Sequence, residues 1–176
     1  MKKERVKNEI LEWVKVIAIA VAVAMIINFV ILINCVVPSG SMEPTISTKS
    51  RMFGFRLAYI FNEPERGDVI IFKYPDDESQ LFVKRIIGLP GDTVEIKAGV
   101  TYVNGEVLSE PYLAERPYEQ DFGPYNVPED SFFVMGDNRN HSNDARYWNN
   151  TYVKKSAIKG KAFLAYWPLD DFGIIE

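Results

Sequence analysis

Hydrophobic and polar positions divide this chain into two regimes. From Val16 to Ile33 the sequence VIAIAVAVAMIINFVILI stays apolar for 18 residues with one polar interruption, Asn28. At about 1.5 Å per residue such a run just spans a hydrocarbon core of about 30 Å, and Val36 and Val37 extend its reach. The pattern predicts a transmembrane helix over residues 16–36, with Asn28 tolerated as a helix–helix contact. Beyond Pro38 the apolar runs shorten to strand length between turn signals, and no stretch of helical period exceeds about ten residues. Strands are predicted at Met52–Tyr59, Val69–Tyr74, Leu81–Leu89, Thr93–Lys97, Thr101–Val103, Glu106–Leu108, Ser131–Met135 and Ala162–Trp167.

Turn residues punctuate these runs. Asn104-Gly105 predicts a type I′ hairpin, because both central residues of that turn need positive φ. Gly67-Asp68, Pro90-Gly91-Asp92 and Gly136-Asp137 mark further breaks. Arg66-Gly67-Asp68 stands just before an apolar run and is read as a turn leading into a strand, not as an adhesion tripeptide. Ser109–Asp130, with four prolines and many charges, reads as a long surface loop or small subdomain. The aromatic run Met52–Phe61 is assigned to the core, with bilayer contact as the competing reading.

Charge orients the chain. Residues 1–15 carry five cations (Lys2, Lys3, Arg5, Lys7, Lys15) against three glutamates, a net of +2 in a chain of net −4, which leaves −6 for the remainder. The positive-inside rule then predicts a cytoplasmic tail over 1–15 and an extracytoplasmic domain over 37–176, with about 98–130 a reduced insert. No small-x-small site follows the apolar run, and Asn34 before Cys35 is a poor lipoprotein signal, so the segment is expected to stay attached as an anchor. An acidic domain offers no extended surface for nucleic-acid phosphates. At 47% hydrophobic residues with 13% aromatics, 11 Gly and 10 Pro, a packed, turn-rich β domain is expected rather than disorder. The lone Cys35 excludes an intramolecular disulfide and is read as a small buried residue.

Chemistry is suggested by three segments. Ser39-Gly40-Ser41, between Pro38 and Pro44, is a turn directly after the anchor, where a serine would face substrates arriving in the membrane plane. A serine hydroxyl is a poor nucleophile until a base takes its proton. Lys84, set among Phe82, Val83, Ile86 and Ile87, can act as that base only when neutral. Lowering its pKa from about 10.4 to about 7–8 takes roughly 4 kcal/mol of disfavoured charge, which desolvation can supply. Strand alternation places Lys84 and Phe82 on one face, Val83 and Arg85 on the other; the alternative is that Lys84-Arg85 is a solvated pair on an edge strand. The third segment, Met135–Trp148, is dense in Asp, Asn, Arg and Ser. Asp144 and Arg146 can pair there, and Ser142 can orient a nearby amine. His141 has no supporting triad residue placed near it in sequence, and no catalytic role is assigned to it.

Together PSGSMEPT, RGDVIIFKYP leading into FVKRIIGLPGDTVEI, and GDNRNHSNDARYW, in that order behind one N-terminal anchor, resemble the bacterial type I signal peptidases over nearly the whole chain. The resemblance implies a mainly β fold: a single transmembrane helix followed by a β-rich extracytoplasmic catalytic domain with a reduced second subdomain, similar to the compact single-anchor form common in Gram-positive bacteria. It implies Ser41 as nucleophile and Lys84 as general base, with Ser39 and the Ser41 N–H as oxyanion donors. Ser142, Asp144 and Arg146 match the residues that support the dyad, and Gly136, Asp137 and Arg139 the structural part of that loop. Cys35, Val37, Met42, Ile46, Ile71 and Val83 would line shallow pockets admitting small residues at −1 and −3 of the substrate. No metal or cofactor is implied. The expected partners are preproteins with cleavable signal peptides, the lipid bilayer and the secretion translocon. Two departures stand out: Asn140 where many members carry Asp, and Ala145 where Ser is frequent. They bear on loop geometry rather than on the dyad.

Two rival readings are separable. One is a Ser/Lys processing peptidase dedicated to a narrow substrate set, distinguished by testing unrelated preproteins. The other is a catalytically silent membrane-anchored β domain that binds envelope partners, which the presence of both Ser41 and Lys84 disfavours. A self-cleaving cytoplasmic repressor is disfavoured by the anchor and by the lack of a helix-turn-helix pattern.

Overall fold

The apolar N-terminal run is helical, and it carries the chain to the edge of a β-sheet. The computed structural model describes residues 2–176, with side chains described from residue 9 onward. Met1 and the side chains of Lys2, Lys3, Arg5 and Lys7, on which the charge-based orientation leans, lie outside the described residues. Helix α1 runs Lys2–Ile26 and ends in a π-helical turn, Ile27–Ile31. It starts well before residue 16 because the Lys- and Glu-rich segment ahead of the apolar run has high helix propensity. Glu9–Ile31, 23 residues, is long and apolar enough to cross a membrane, and none of its apolar window is buried by the described residues. Asn28 donates from Nδ2 to the Ala24 carbonyl at 3.1 Å, so within this chain it bonds its own helix one turn back.

The helix ends before the expected residue 36. Leu32 already has extended backbone, and Leu32–Val36 forms strand β1. β1 runs antiparallel to β2 (Arg51–Phe55), from Leu32 opposite Phe55 to Val36 opposite Arg51. The backbone groups released from the helix are taken up by this ladder, to which β-branched Ile33 and Val36 are suited.

The remaining strands build two sheets. They are β3 (Val69–Tyr74), β4 (Asp77–Gly88), β5 (Thr93–Lys97), β6 (Val100–Val103), β7 (Glu106–Val107), β8 (Phe122–Asn126), β9 (Ser131–Met135), β10 (Val153–Lys154), β11 (Ile158–Trp167) and β12 (Gly173–Ile174). The large sheet has the order β1-β2-β11-β3-β4-β9-β10, with β12 on β11, and the small sheet the order β7-β6-β5-β8. The Asn104-Gly105 hairpin between β6 and β7 forms as expected, with φ of 54° and 84°.

Alternation along β3 separates two cores. Ile70 and Phe72 join Ile86, Ile87, Val94, Phe132, Phe133 and Trp148 on one side. Val69 and Ile71 join Ile33, Val37, Met42, Ile46 and Met52 on the other. Each fully buried side chain of this size contributes about 1.5–3 kcal/mol relative to exposure. The second core matters most for the site, because it sits beneath the turn that follows β1. The Met52–Phe61 run is core only in part. Met52 is buried, but the chain turns after Phe55, leaving Ile60 and Phe61 exposed, Phe61 at 94%.

Candidate active site

Three segments distant in sequence converge at one end of the large sheet. β1 delivers the chain to Val37, whose N–H donates to the Ser50 carbonyl (2.9 Å) and whose carbonyl accepts from Lys49 N–H (2.7 Å). Ser39 then leads into a single 3-10 turn, Gly40–Met42, on which Ser41 lies. Met42 and Ile46 anchor this turn in the second core, both fully buried. No side chain caps the turn's N-terminus, and the first N–H groups of such a turn have no intrahelical partner. An oxyanion could use them.

Lys84 comes from β4, opposite Ile70 of β3. It is 3% exposed, and its Nζ lies 2.5 Å from Ser41 Oγ. Ser39 Oγ lies 3.3 Å from the same oxygen. Burial drives the Lys84 pKa down to about 8; Arg146 pushes it the same way, while Asp144 and Asp137 act against the shift. No carboxylate pairs directly with the amine among the described residues, so desolvation prevails over those more distant charges.

The loop after β9 closes the third side. Gly136 is required by space, since a Cβ there would fall 2.3 Å from both the Ser41 carbonyl oxygen and Ser142 Oγ. Its N–H donates to Asp144 Oδ2 (3.0 Å). Arg146 holds the same carboxylate through Nε (2.8 Å) and Nη2 (2.9 Å). Arg139 donates to the Gly136 carbonyl (3.1 Å) and to Thr101 (3.0 Å), and pairs with Glu110. Asn140 ties the loop to the insert by accepting from Tyr118 N–H and donating to Glu115, both at 2.8 Å. An aspartate could not make that second bond. Ser142 is buried as expected, but its Oγ has no hydrogen-bond partner among the described residues; the contact to the lysine amine is not formed.

The expected groups at Ser39, Ser41, Lys84, Gly136, Asp137, Ser142, Asp144 and Arg146 are therefore brought together. A cleft of about 590 Å³ opens beside them, lined by Cys35, Val37, Ile71 and Val83, with His141 and Asn143 at its rim. Met42 and Ile46 are not part of its wall: they lie in the core beneath it, because the turn needs apolar anchors on its underside. Burial raises the Cys35 thiol pKa, which keeps it neutral. No group of three metal-ligating side chains occurs among the described residues.

Three contributors were not singled out from sequence. Arg85, 2% exposed, donates to Asp137 through Nε (2.8 Å) and Nη2 (2.7 Å), and to the Gly67 carbonyl (2.7 Å). Thr45 Oγ1 donates to the same aspartate at 2.6 Å. Asn138 Nδ2 reaches back to the Gly40 carbonyl in the turn that carries Ser41. The available signal for Arg85 was its place in an apolar strand: alternation puts one of two adjacent cations on each face, and both faces here are dry.

Comparison with known proteins adds a third line of observation. A profile of the family "Signal peptidase, peptidase S26" matches residues 10–167. Signal peptidase I S of Bacillus subtilis (strain 168) is 40% identical over 183 residues, covering 97% of this chain and 97% of the relative. Probable signal peptidase I-2 of Synechocystis sp. is 38% identical over 174 residues, covering 96% of this chain and 78% of the relative. Among solved structures, a signal peptidase I from Enterococcus faecalis V583 superposes with a TM-score of 0.50 at 37% identity, covering 57% of this chain and 97% of that one.

Proposed function

The chain belongs to the signal peptidase family S26, and within that family we propose that Ser41 and Lys84 form the catalytic dyad of a serine endopeptidase that removes signal peptides from secreted preproteins. The observation that carries this reading is the short contact between Ser41 Oγ and the buried Lys84 amine, which has no carboxylate partner among the described residues. Neutral Lys84 takes the Ser41 proton as Oγ bonds to the substrate carbonyl carbon. The resulting oxyanion is held by Ser39 Oγ and the Ser41 N–H. Lys84 then passes the proton to the leaving amine, which becomes the N-terminus of the mature protein. Water deprotonated by Lys84 cleaves the acyl-enzyme ester and frees the signal peptide. While Lys84 is charged, the unpaired Ser142 hydroxyl is available to accept from it.

An extended substrate has a place to lie. β4 meets β9 only from Arg85 to Gly88, so along Asp77–Lys84 one edge of β4 carries no partner strand among the described residues. β1 is the outer strand of its sheet. Both free edges border the cleft, offering main-chain hydrogen bonds to an added strand. Side chains on one face of that strand meet Cys35, Val37, Ile71 and Val83, which leave room for small residues and exclude bulk by steric contact.

The enzyme is held in the membrane by Glu9–Ile31, with the N-terminus cytoplasmic and the β domain outside. The Arg56 N–H bonds the Ile31 carbonyl (2.8 Å), which sets Leu57–Phe61 beside the end of the helix. Exposed Ile60 and Phe61 there suit the headgroup layer. Several unrelated preproteins incubated with purified enzyme should each be cut after a small residue, as read by sequencing the products' N-termini. Ser41→Ala and Lys84→Ala should each lower kcat by at least about 10³-fold while remaining folded. Full activity in either variant would remove the dyad.

A further inference from the structure

We propose that Asn138 is a positioning residue for the oxyanion hole, acting on the reaction through the Gly40–Ser41 peptide group. This rests on the proposed role of the Ser41 N–H as an oxyanion donor.

Asn138 makes two bonds to the nucleophile turn. Its Nδ2 donates to the Gly40 carbonyl at 3.1 Å, and its own N–H donates to the Ser41 carbonyl at 3.1 Å. The side-chain bond is the informative one. The Gly40 carbonyl and the Ser41 N–H are opposite ends of one planar peptide unit, so fixing the carbonyl fixes the direction in which the N–H points. A donor on the carbonyl also polarises the unit and strengthens its N–H as a donor. The backbone bond fixes the next peptide plane, and the two together leave the turn little rotational freedom at Ser41.

The rest of the turn supplies only part of that restraint. Glu43 N–H also reaches the Gly40 carbonyl (3.1 Å), closing the turn from within, and no side chain caps its start. Asn138 is in turn held by the loop on which it lies. Its neighbour Asp137 is fixed by Arg85 and Thr45, and Gly136 packs against the Ser41 carbonyl with no space for a Cβ. The arrangement is rigid, as aiming a donor requires. The amide nitrogen assignment follows from its partner: a carbonyl can only accept, so Nδ2 must face it.

The test uses the full chain in detergent micelles with a preprotein substrate. Two ligands complement it: a peptide aldehyde, whose hemiacetal oxygen occupies the hole once Ser41 adds to it, and the corresponding peptide alcohol, which binds the cleft without forming an oxyanion. Asn138→Ala should lower kcat by about 10–100-fold, less than outright loss of a donor. KM and alcohol affinity should stay within about 2-fold, the apparent pKa of kcat/KM should be unmoved, and aldehyde affinity should fall in parallel with kcat. Asn138→Asp keeps the shape and the backbone bond but sets an acceptor against the Gly40 carbonyl, so it should lose at least as much. This near-isosteric variant decides the matter if Asn138→Ala does not fold. Equal loss of alcohol and aldehyde affinity, or wild-type kcat in Asn138→Asp, overturns the proposal. Ser39→Ala measured alongside separates the two levels. If it loses aldehyde affinity while the Asn138 variants do not, only the positioning role fails; if all are silent, the oxyanion-hole reading fails with it.

Discussion

Lys84 and Arg85 are adjacent on one strand, equally buried, and opposite in what burial does to them. Arg85 meets a carboxylate: Asp137 takes two of its N–H groups, the Gly67 carbonyl takes a third, and the Tyr112 ring lies 4.1 Å from its guanidinium. Its charge is kept and becomes structural, joining β4 to the Gly136 loop. Among the described residues Lys84 meets no carboxylate, only the Ser41 hydroxyl and the more distant charges of Asp144, Arg146 and Asp137. Its charge is disfavoured, which suits the role of base proposed for it. The same cost of burying a cation is offset by pairing in one case and left uncompensated in the other.

Breaking the paired side should give the largest change in stability. Arg85→Ala leaves Asp137 buried beside Thr45 with its guanidinium gone, at an expected cost of about 3–5 kcal/mol. Thermal melts in detergent should show this as a large fall in Tm, with activity lost alongside folded protein. An Arg85→Ala variant as stable as the wild type would mean that the pair is not structural.

On the unpaired side the sign should reverse. Lys84 binds a proton more weakly when folded, with a pKa of about 8 against about 10.4 unfolded, so the unfolded chain holds more protons between these values. Stability contributed at this position is therefore lowest below about pH 8 and recovers as pH rises through about 10.4. Lys84→Met, which fills similar volume without charge, should be inactive yet more stable than wild type by up to about 3 kcal/mol at pH 6. The gap should close as pH rises above 10. A variant less stable than wild type at pH 6 would show that the amine is not held at a cost.

How far this contrast could be read in advance depends on the kind of interaction. The apolar pattern located β3, β5 and β9 at their observed ends, because each is a short run bounded by turn residues, continuous and buried in β3 and β9 and alternating in β5. β8 was absorbed into a predicted loop because Gly123 and Pro124 interrupt its alternation, although β5 pairs with it. The helix end was set too late: Leu32–Val36 is as apolar as the helix before it, and only its pairing with β2 makes it a strand. At the site, Ser41, Lys84 and the Gly136 loop were picked out because their segments resemble those of a known family, and the structure brings them together, Lys84 Nζ on Ser41 Oγ and Gly136 against the Ser41 carbonyl. Arg85 and Asn138 were not, since each acts through a partner far away in sequence, Asp137 at 52 residues and Gly40 at 98. Met42 and Ile46 were placed at the pocket wall because lining a cleft and lying beneath it look alike in a sequence.

The central claim is that the Lys84 amine works as a neutral base because it is buried without a counterion. It is tested most directly by the pH dependence of kcat/KM for preprotein cleavage between pH 5 and 10, which reports the free enzyme's ionisation. The account predicts a rising limb with an apparent pKa near 8, the value to which burial brings Lys84. A profile flat across that range, or a limb near pH 6 abolished by His141→Ala, would contradict it.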